Sequence, residues 1–277
     1  MLVSTGITLV DQLMTTDKIP ASGEKTSATT ITATPGGGAA STSVIAASLG
    51  SKVRFFTCLG GDEYGVELEA AYRGLGIELE VMPCDRTPVS LVMIEPDGER
   101  TLITMRGGVE PQAEAFEAGI FAAEDDLFLP QTGMSSRASF LDRVHGKKVL
   151  PGRHLRDELE IGRQWEIVVA SSDEICKPEH SALKSIGCEL FVLTDGAAGG
   201  DWWYQGHWHH FATPDVKPEE IADACGAGDS FLGGLLAGLD QGLDPAEAIE
   251  LGAEQGAACL RRRGAWPMDI GLMPLLP

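Results

Sequence analysis

The stretch from Ile221 to Leu239, IADACGAGDSFLGGLLAGL, constrains the fold of this chain more than any other. Small residues lead up to Asp229, and apolar residues then recur at helical spacing. We expect a tight glycine loop that opens a buried helix. The free N–H groups of such a helix start favour a phosphate. A carboxylate there would repel a merely bound anion, but it suits a base beside a transferring phosphoryl group.

A glycine turn before a core helix is also common where nothing binds, so the spacing alone leaves a purely structural interpretation open. The exact residue sequence of the motif is more specific than its spacing. D-A-C-G-A-G-D-S-F resembles the carboxyl-terminal signature of the PfkB, or ribokinase-like, carbohydrate kinases, usually D-T-x-G-A-G-D-x-F. This resemblance implies an α/β fold, namely a ribokinase-like three-layer sandwich with a mostly parallel central sheet and a small β lid.

The resemblance also implies roles for the loop. Asp229 would accept the proton of a sugar hydroxyl while magnesium bridges the phosphates of ATP. The backbone amides of Gly226, Ala227 and Gly228 would stabilise the charge on the transferred phosphoryl group. Cys225, Gly226 and Gly228 would also contact the nucleotide. Asp223 would belong to a loop that binds a monovalent cation such as K⁺.

Composition fits one large domain over residues 1–277, with lid segments at about 12–35 and 86–107. No apolar run approaches the roughly 18 residues that cross a bilayer, and the start lacks the pattern of a signal peptide, so we expect a cytoplasmic protein. Six scattered cysteines argue against a zinc site or a disulfide framework. A net charge of −20 argues against nucleic acid and anionic membranes as partners.

The amino-terminal half contains the candidate residues for binding the sugar. Leu2 to Val10 reads as one apolar strand, so that Asp11 follows at its carboxyl end, where open α/β sheets bind ligands. A turn or helix-cap aspartate is the alternative. Further on, P-G-G-G-A-A-S resembles the di-glycine motif of the family, which assigns the sugar to Gly37, Gly38 and Ser41. Members commonly carry asparagine where Ser41 falls, which leaves the identity of the sugar open.

Three strand-like segments predict the lid: Lys25 to Thr34, Pro88 to Ile94 and Arg100 to Met105. Arg106 follows the last of them and is a candidate for contacting an anionic or hydroxyl-rich part of the substrate, with a solvated surface arginine as the alternative. An unpaired lid edge would favour pairing with a second copy, so a homodimer is expected.

The carboxyl-terminal half contains the candidate nucleotide site. A buried strand ends in T-D-G-A-A-G, which resembles the nucleotide-phosphate loop of the family and assigns Thr194, Gly196 and Gly199 to ATP. Gly264 begins a G-A pair that relatives place near the purine. Glu174 matches the glutamate of the N-x-x-E motif that organises magnesium through water, although Ser171 replaces its asparagine. A helix-start glutamate is the alternative for Glu174.

Other classes fit less well. A dinucleotide oxidoreductase needs G-x-G-x-x-G after its first strand, and a P-loop enzyme needs G-K-[ST]. The run H-W-H-H alternates as on an exposed strand, so we predict no metal there. The resemblance therefore implies an ATP- and Mg²⁺-dependent sugar kinase. The opening G-I-T-L-V-D, the triple glycine and the short D-G-E-R-T-L-I hairpin most resemble those of members that act on acidic or sulfonated sugars, such as sulfofructose or 2-keto-3-deoxygluconate, with ribose, fructose and nucleosides as further candidates. A catalytically impaired binding homologue, or a nucleoside kinase of the same fold, is the alternative.

Overall fold

A computed structural model of the chain describes residues 1–95, 100–105, 110–117 and 119–274. The strands are β1 (Leu2–Gly6), β2 (Leu9–Thr16), β3 (Ala28–Gly36), β4 (Val53–Gly60), β5 (Glu78–Cys84), β6 (Val89–Ile94), β7 (Arg100–Met105), β8 (Leu127–Gln131), β9 (Lys147–Pro151), β10 (Ile167–Ser171), β11 (Leu190–Thr194), β12 (Gly200–Tyr204) and β13 (His207–Phe211). The helices are α1 (Gly38–Ser48), α2 (Glu63–Gly74), α3 (Met134–Leu141), α4 (Leu155–Ile161), α5 (His180–Ser185), α6 (Ala227–Asp240) and α7 (Pro245–Leu260).

Nine strands form the main sheet in the order β13-β12-β11-β10-β9-β8-β1-β4-β5. All neighbours from β11 to β5 pair in parallel, and β12 and β13 add an antiparallel edge. The central strands have near-continuous apolar sequences, typical of parallel strands covered on both faces. The predicted α/β fold with a mostly parallel sheet is confirmed.

Helices α1 and α6 pack side by side because Gly233 lets them approach closely. A Cβ on Gly233 would lie 2.7 Å from the Cβ of Ile45. About one turn earlier on each helix, the hydroxyl of Thr42 donates to the carbonyl of Asp229 at 3.2 Å. The two contacts advance in the same direction along α1 and α6, so the helices run in the same direction. Their amino termini therefore meet at one place, which positions two helix starts at the site described below.

Four strands form a second, smaller sheet in the order β3-β2-β6-β7, which we call the lid sheet. The interpretation of Leu2 to Val10 as one strand is wrong, because the chain leaves the main sheet at Ile7 and Thr8 and enters the lid sheet at Leu9. At that point the N–H of Thr8 donates to the side chain of Thr57 at 3.1 Å. Asp11 therefore lies inside β2 and not after a strand of the main sheet.

Several element boundaries differ from expectation. The run K-K-V-L-P-G-R-H-L-R predicts a single strand, but β9 ends at Pro151 and α4 begins at Leu155. The helix start D-P-A-E predicts a last helix to about Arg263, but α7 ends at Leu260. The turn that the sequence E-P-D-G-E predicts between β6 and β7, and Arg106 after β7, lie in or next to residues outside the described ranges.

The structure places no disulfide among the described cysteines, which are Cys58, Cys84, Cys176, Cys188, Cys225 and Cys259. Among the helices of the described ranges, none is long and apolar enough to cross a bilayer.

Candidate active site

The candidate site lies where strands of the main sheet end and two helices begin. β1, β8, β9, β10 and β11 are parallel, so their carboxyl ends share one edge of the sheet. The amino termini of α1 and α6 reach the same edge, and the lid sheet is joined to it through β2 and β3. This is the edge at which open α/β sheets bind ligands.

Asp229 lies in the first turn of α6, directly after the glycine loop. Its backbone carbonyl accepts from the hydroxyl of Thr42 at 3.2 Å, which ties it to α1. Its Oδ1 accepts from Nε2 of Gln131 at 3.2 Å. Burial raises the pKa of the Asp229 carboxyl group, opposed by the Gln131 bond and by Arg153, and Glu174 adds to the rise. A carboxylate with a raised pKa at a helix start is suited to taking up a proton.

The loop before Asp229 requires its glycines. Gly226 caps α6 with a φ of 79°, in the left-handed region. A Cβ there would lie 2.3 Å from the Cβ of Ala265, so only glycine permits this contact. A Cβ on Gly228 would meet no heavy atom within 4 Å, so the space beside this helix start is open. Open space beside the first N–H groups of a helix is compatible with an anion, and phosphate binding by this loop stays a prediction.

Asp223 connects three segments of the chain. Its Oδ1 accepts from the N–H of Cys225 at 2.8 Å, and its Oδ2 accepts from the N–H of Gly264 at 3.1 Å. The guanidinium of Arg100, at the start of β7, lies 3.7 Å from Oδ1. The glycine loop, the loop after α7 and the lid sheet therefore meet at one carboxylate. A monovalent cation beside Asp223 stays a prediction.

Asp11 lies on the lid sheet, where its register partners are Thr34 on β3 and Ser90 on β6. The residue is 8% exposed. Burial raises its pKa to about 6, while a hydrogen bond from the hydroxyl of Ser90 works in the opposite direction, as does the charge of Arg100, and Asp223 adds to the rise. The pKa of Asp11 therefore depends on charges from two places, Arg100 on the lid sheet and Asp223 in the glycine loop.

The glycines before α1 allow close approach on two sides. Gly37 has a φ of 101°, and a Cβ there would lie 2.2 Å from the carbonyl oxygen of Ile7. A Cβ on Gly38 would lie 2.9 Å from Oδ1 of Asp229. Ser41, in the first turn of α1, is buried, and its hydroxyl has no hydrogen-bond partner among the described residues. Sugar binding by these three residues stays a prediction.

The candidate nucleotide residues lie farther along the same edge. Thr194 ends β11 beside Ser171, and its hydroxyl donates to the carbonyl of Ala170 at 3.2 Å. Gly196 and Gly199 both have positive φ, and a Cβ on Gly199 would lie 2.0 Å from the carbonyl oxygen of Phe211. These features form a tight loop at the end of β11, which is closed by its own backbone bonds, among them the N–H of Asp195 to the carbonyl of Gly199 at 2.8 Å. ATP binding by this loop stays a prediction.

Glu174 follows β10 and is among the residues that line a groove of about 410 Å³. Arg156, in the first turn of α4, lines the same groove. A second cavity, of about 310 Å³, is lined by Leu127, Lys147, Ile167 and Leu190 at the amino ends of their strands, so it lies away from Asp229. The groove beside Glu174 lies at the carboxyl end of β10, and a role of Glu174 in holding magnesium stays a prediction.

Sequence reasoning missed three residues. Gln131 contacts Asp229, the charge of Arg153 acts on Asp229, and Arg100 pairs with Asp223. Gln131 and Arg153 lie at or just after the carboxyl ends of β8 and β9, so a search for polar residues at strand ends would have found them. Arg100 begins a lid strand, and its partner is far away in sequence, so no local signal identifies it.

A protein-family model described as "pfkB family carbohydrate kinase" matches residues 1–131 and 158–269 of the chain. The chain is 27% identical to the cytidine kinase of Thermococcus kodakarensis over 261 residues, covering 85% of this chain and 91% of that protein. It is 26% identical to the aminoimidazole riboside kinase of Salmonella typhimurium over 272 residues, covering 83% of each.

Solved structures give the same result for the fold. The ribokinase from Thermotoga maritima superimposes with a TM-score of 0.79 at 21% identity, covering 95% of this chain and 94% of that chain. The nucleoside kinase of Methanocaldococcus jannaschii superimposes with a TM-score of 0.81 at 17% identity, covering 96% and 93%. The ribokinase-like fold expected from the sequence is confirmed.

Proposed function

Because the chain belongs to the pfkB family of carbohydrate kinases, phosphotransferases with an alcohol group as acceptor, we propose that it transfers the γ-phosphoryl group of ATP to a hydroxyl of a sugar or riboside. The observation that carries the proposal is the Asp229 carboxylate, held at the start of α6 beside an open glycine loop. A base and an anion site at the same helix start are the parts that phosphoryl transfer requires.

Each part of the site has a defined role in this proposal. Asp229 takes the proton from the acceptor hydroxyl, and its raised pKa makes it a stronger proton acceptor than an exposed aspartate. The amides of Gly226, Ala227 and Gly228 stabilise charge on the transferred group. Asp11 binds a further hydroxyl of the acceptor, and Gly37, Gly38 and Ser41 bound its pocket.

The residues present fit ATP and Mg²⁺. Thr194, Gly196, Gly199 and the loop at Cys225 and Gly264 would hold the nucleotide. No group of three or more ligating side chains occurs within the described ranges. Mg²⁺ in kinases is bound mainly by phosphate oxygens and water with one or two carboxylates, so Glu174 is the candidate protein group, acting through water. When bound, the ion neutralises charge on the phosphates.

The acceptor is proposed to be neutral. The relatives include kinases named for fructose, ribose, cytidine and aminoimidazole riboside, and none of these names supports the acidic or sulfonated sugar that the sequence suggested. The argument for an anion depended on Arg106, which lies outside the described residues. Asp11, Ser90 and Thr104 instead give one face of the lid sheet a carboxylate and two hydroxyls, which suit a hydroxyl-rich acceptor.

The assembly is proposed to be a homodimer formed through the lid sheet. β7 is an edge strand, and three of its apolar side chains are exposed: Leu102 at 51%, Ile103 at 55% and Met105 at 62%. An apolar edge strand left open is prone to pair with another chain. A second copy of the same sheet would cover it.

A substrate screen tests the proposed function. ATP consumption should be measured with ribose, fructose, cytidine and aminoimidazole riboside, and in parallel with 2-keto-3-deoxygluconate and sulfofructose. Turnover with a neutral acceptor and Mg²⁺ supports the proposal, whereas turnover only with the acids would overturn the neutral assignment. ATP and acceptor binding without turnover would support the alternative, a binding homologue that has lost activity.

A further inference from the structure

Gln131 lies between the helix starts of α1 and α6, in contact with both. It ends β8 and is paired in register with Gly6 at the end of β1. Its amide lies against Gly38, where an added Cβ would be 3.0 Å from Oε1 and 3.1 Å from Nε2. On the other side, Nε2 donates to Oδ1 of Asp229 at 3.2 Å. Backbone on one side and the carboxylate on the other hold the amide in place.

Only one of the two polar atoms of the Gln131 amide has a hydrogen-bond partner among the described residues. Nε2 has the carboxylate as its acceptor, whereas Oε1 is buried and has no hydrogen-bond partner among the described residues. A buried unpaired oxygen costs stability, and an apolar side chain of similar size would avoid this cost. Among the described residues, the hydrogen bond that the Gln131 amide makes is therefore the one to Asp229.

We propose that Gln131 is a positioning residue for the base Asp229, an inference that rests on the proposed function. Its bond occupies Oδ1, which leaves Oδ2 as the oxygen that receives the proton of the acceptor hydroxyl. A donor directed at the carboxylate also favours the charged form, which is the form that acts as a base. Gln131 does not itself contact the reacting atoms in this assignment.

Among the described residues, two charges act on Asp229: Arg153, after β9, favours its ionised form, and Glu174, after β10, opposes it. The thiols of Cys225 and Cys259 also interact with Asp229, but burial raises the pKa of both, so they carry no charge near pH 7. The neighbouring part of α1 is glycine and contributes no charge. Against this background, loss of the Gln131 donor should make Asp229 easier to protonate.

Gln131→Met tests the assignment, because methionine keeps the length and shape of the side chain without a donor. We expect kcat to fall about tenfold where Asp229 is ionised, the loss that accompanies one hydrogen bond to a charged group, and the acid limb of the kcat–pH profile to shift to higher pH. The matched control is Thr132→Val, which removes a neighbouring buried hydroxyl that has no partner among the described residues. The control should leave the pH profile unchanged.

A double-mutant cycle separates positioning from packing. If Gln131 acts through Asp229, Gln131→Met should cause no further loss of kcat when Asp229 is already asparagine. The same loss in both backgrounds, or a pH profile of Gln131→Met that matches the wild type, would overturn the assignment. Near-normal turnover of Asp229→Asn alone would instead overturn Asp229 as the base, so the two failures are distinguishable.

Discussion

The guanidinium of Arg100 on the lid sheet lies 3.7 Å from the carboxylate of Asp223 in the glycine loop. The Asp223 side chain is 8% exposed and the Arg100 side chain 30% exposed, so the pair is partly shielded from water. Asp223 also receives the N–H groups of Cys225 and Gly264. The position of the lid is therefore linked electrostatically to the loop that is proposed to hold the phosphoryl group.

Arg100→Gln removes the charge of this link and keeps a polar side chain. We expect KM for the acceptor to rise by about 2- to 10-fold, since a partly exposed ion pair contributes roughly 1 kcal/mol. The wild-type KM should also increase with salt concentration, whereas that of the variant should change little. Steady-state kinetics over a salt series measures both effects. Arg73→Gln, on α2, is the control, and equal behaviour of the two variants would contradict the link.

Asp11→Asn should stabilise the protein while weakening acceptor binding. The pKa of Asp11 in the folded protein, about 6, lies above that of an exposed aspartate. The folded protein therefore binds this proton more tightly than the unfolded chain, and stability falls as the pH rises from about 4 to about 6. Removing the charge should raise the free energy of unfolding at pH 7 by up to about 3 kcal/mol and increase Tm by several degrees.

Thermal unfolding at pH 5 and pH 7, together with KM for the acceptor, measures the Asp11 effects. Asp62→Asn is the opposite control. Burial raises the pKa of Asp62, but hydrogen bonds from Thr87 and Gly65 outweigh burial and lower it, so its charge stabilises the fold and its loss should lower Tm at pH 7. A lower Tm of Asp11→Asn at pH 7 would contradict the assignment.

Asp229→Asn should leave the fold and nucleotide binding nearly intact while lowering kcat by about 10²- to 10⁴-fold, the usual range for a general base. Asparagine keeps the shape of the side chain but cannot take up the proton. If Asp229 were only a helix cap, asparagine would serve about equally well. Turnover, Tm and ATP affinity should be measured on the same preparation, and near-normal turnover would rule out the catalytic role.

The lid dimer predicts a specific effect of charge on β7. Ile103 and Met105 are two residues apart on the strand, so they lie on the same face. Ile103→Lys with Met105→Lys should convert a dimer into a monomer by light scattering. Val66→Lys, at an exposed apolar residue on α2, is the matched control and should stay dimeric. A monomeric wild-type protein would contradict the proposal.

Features of the fold that are set by residues close together in the sequence could be predicted. The glycine loop and Asp229 occupy one short stretch, so their geometry follows from local spacing. The pairing of Gln131 with Asp229 joins residues 98 positions apart, and no local pattern contains it. The break between β1 and β2 was missed because it depends on the bond from Thr8 to Thr57, which lies 49 positions away. The local geometry of the glycine loop was therefore predictable, whereas contacts between strands and helices were not.

Gly38→Ala offers a test in which stability and activity change in opposite directions. Gly38 is the first residue of α1 and does not have a positive φ, so alanine fits its backbone. Alanine in a helix is more stable than glycine by about 0.5–1 kcal/mol. Its Cβ, however, would lie 2.9 Å from Oδ1 of Asp229 and 3.0 Å from Oε1 of Gln131, too close for both side chains to stay in place.

Because both of these contacts are to the ends of side chains, we expect the fold of Gly38→Ala to survive and the alignment of the base to be lost. Tm should stay the same or rise, while kcat falls by at least about tenfold, in the range that displacement of a general base produces. Gly74→Ala is the matched control, because an added Cβ there meets no heavy atom within 4 Å. It should gain the same helix stability with full activity. Full activity of Gly38→Ala as well would mean that the close approach of α1 to Asp229 is not needed for turnover.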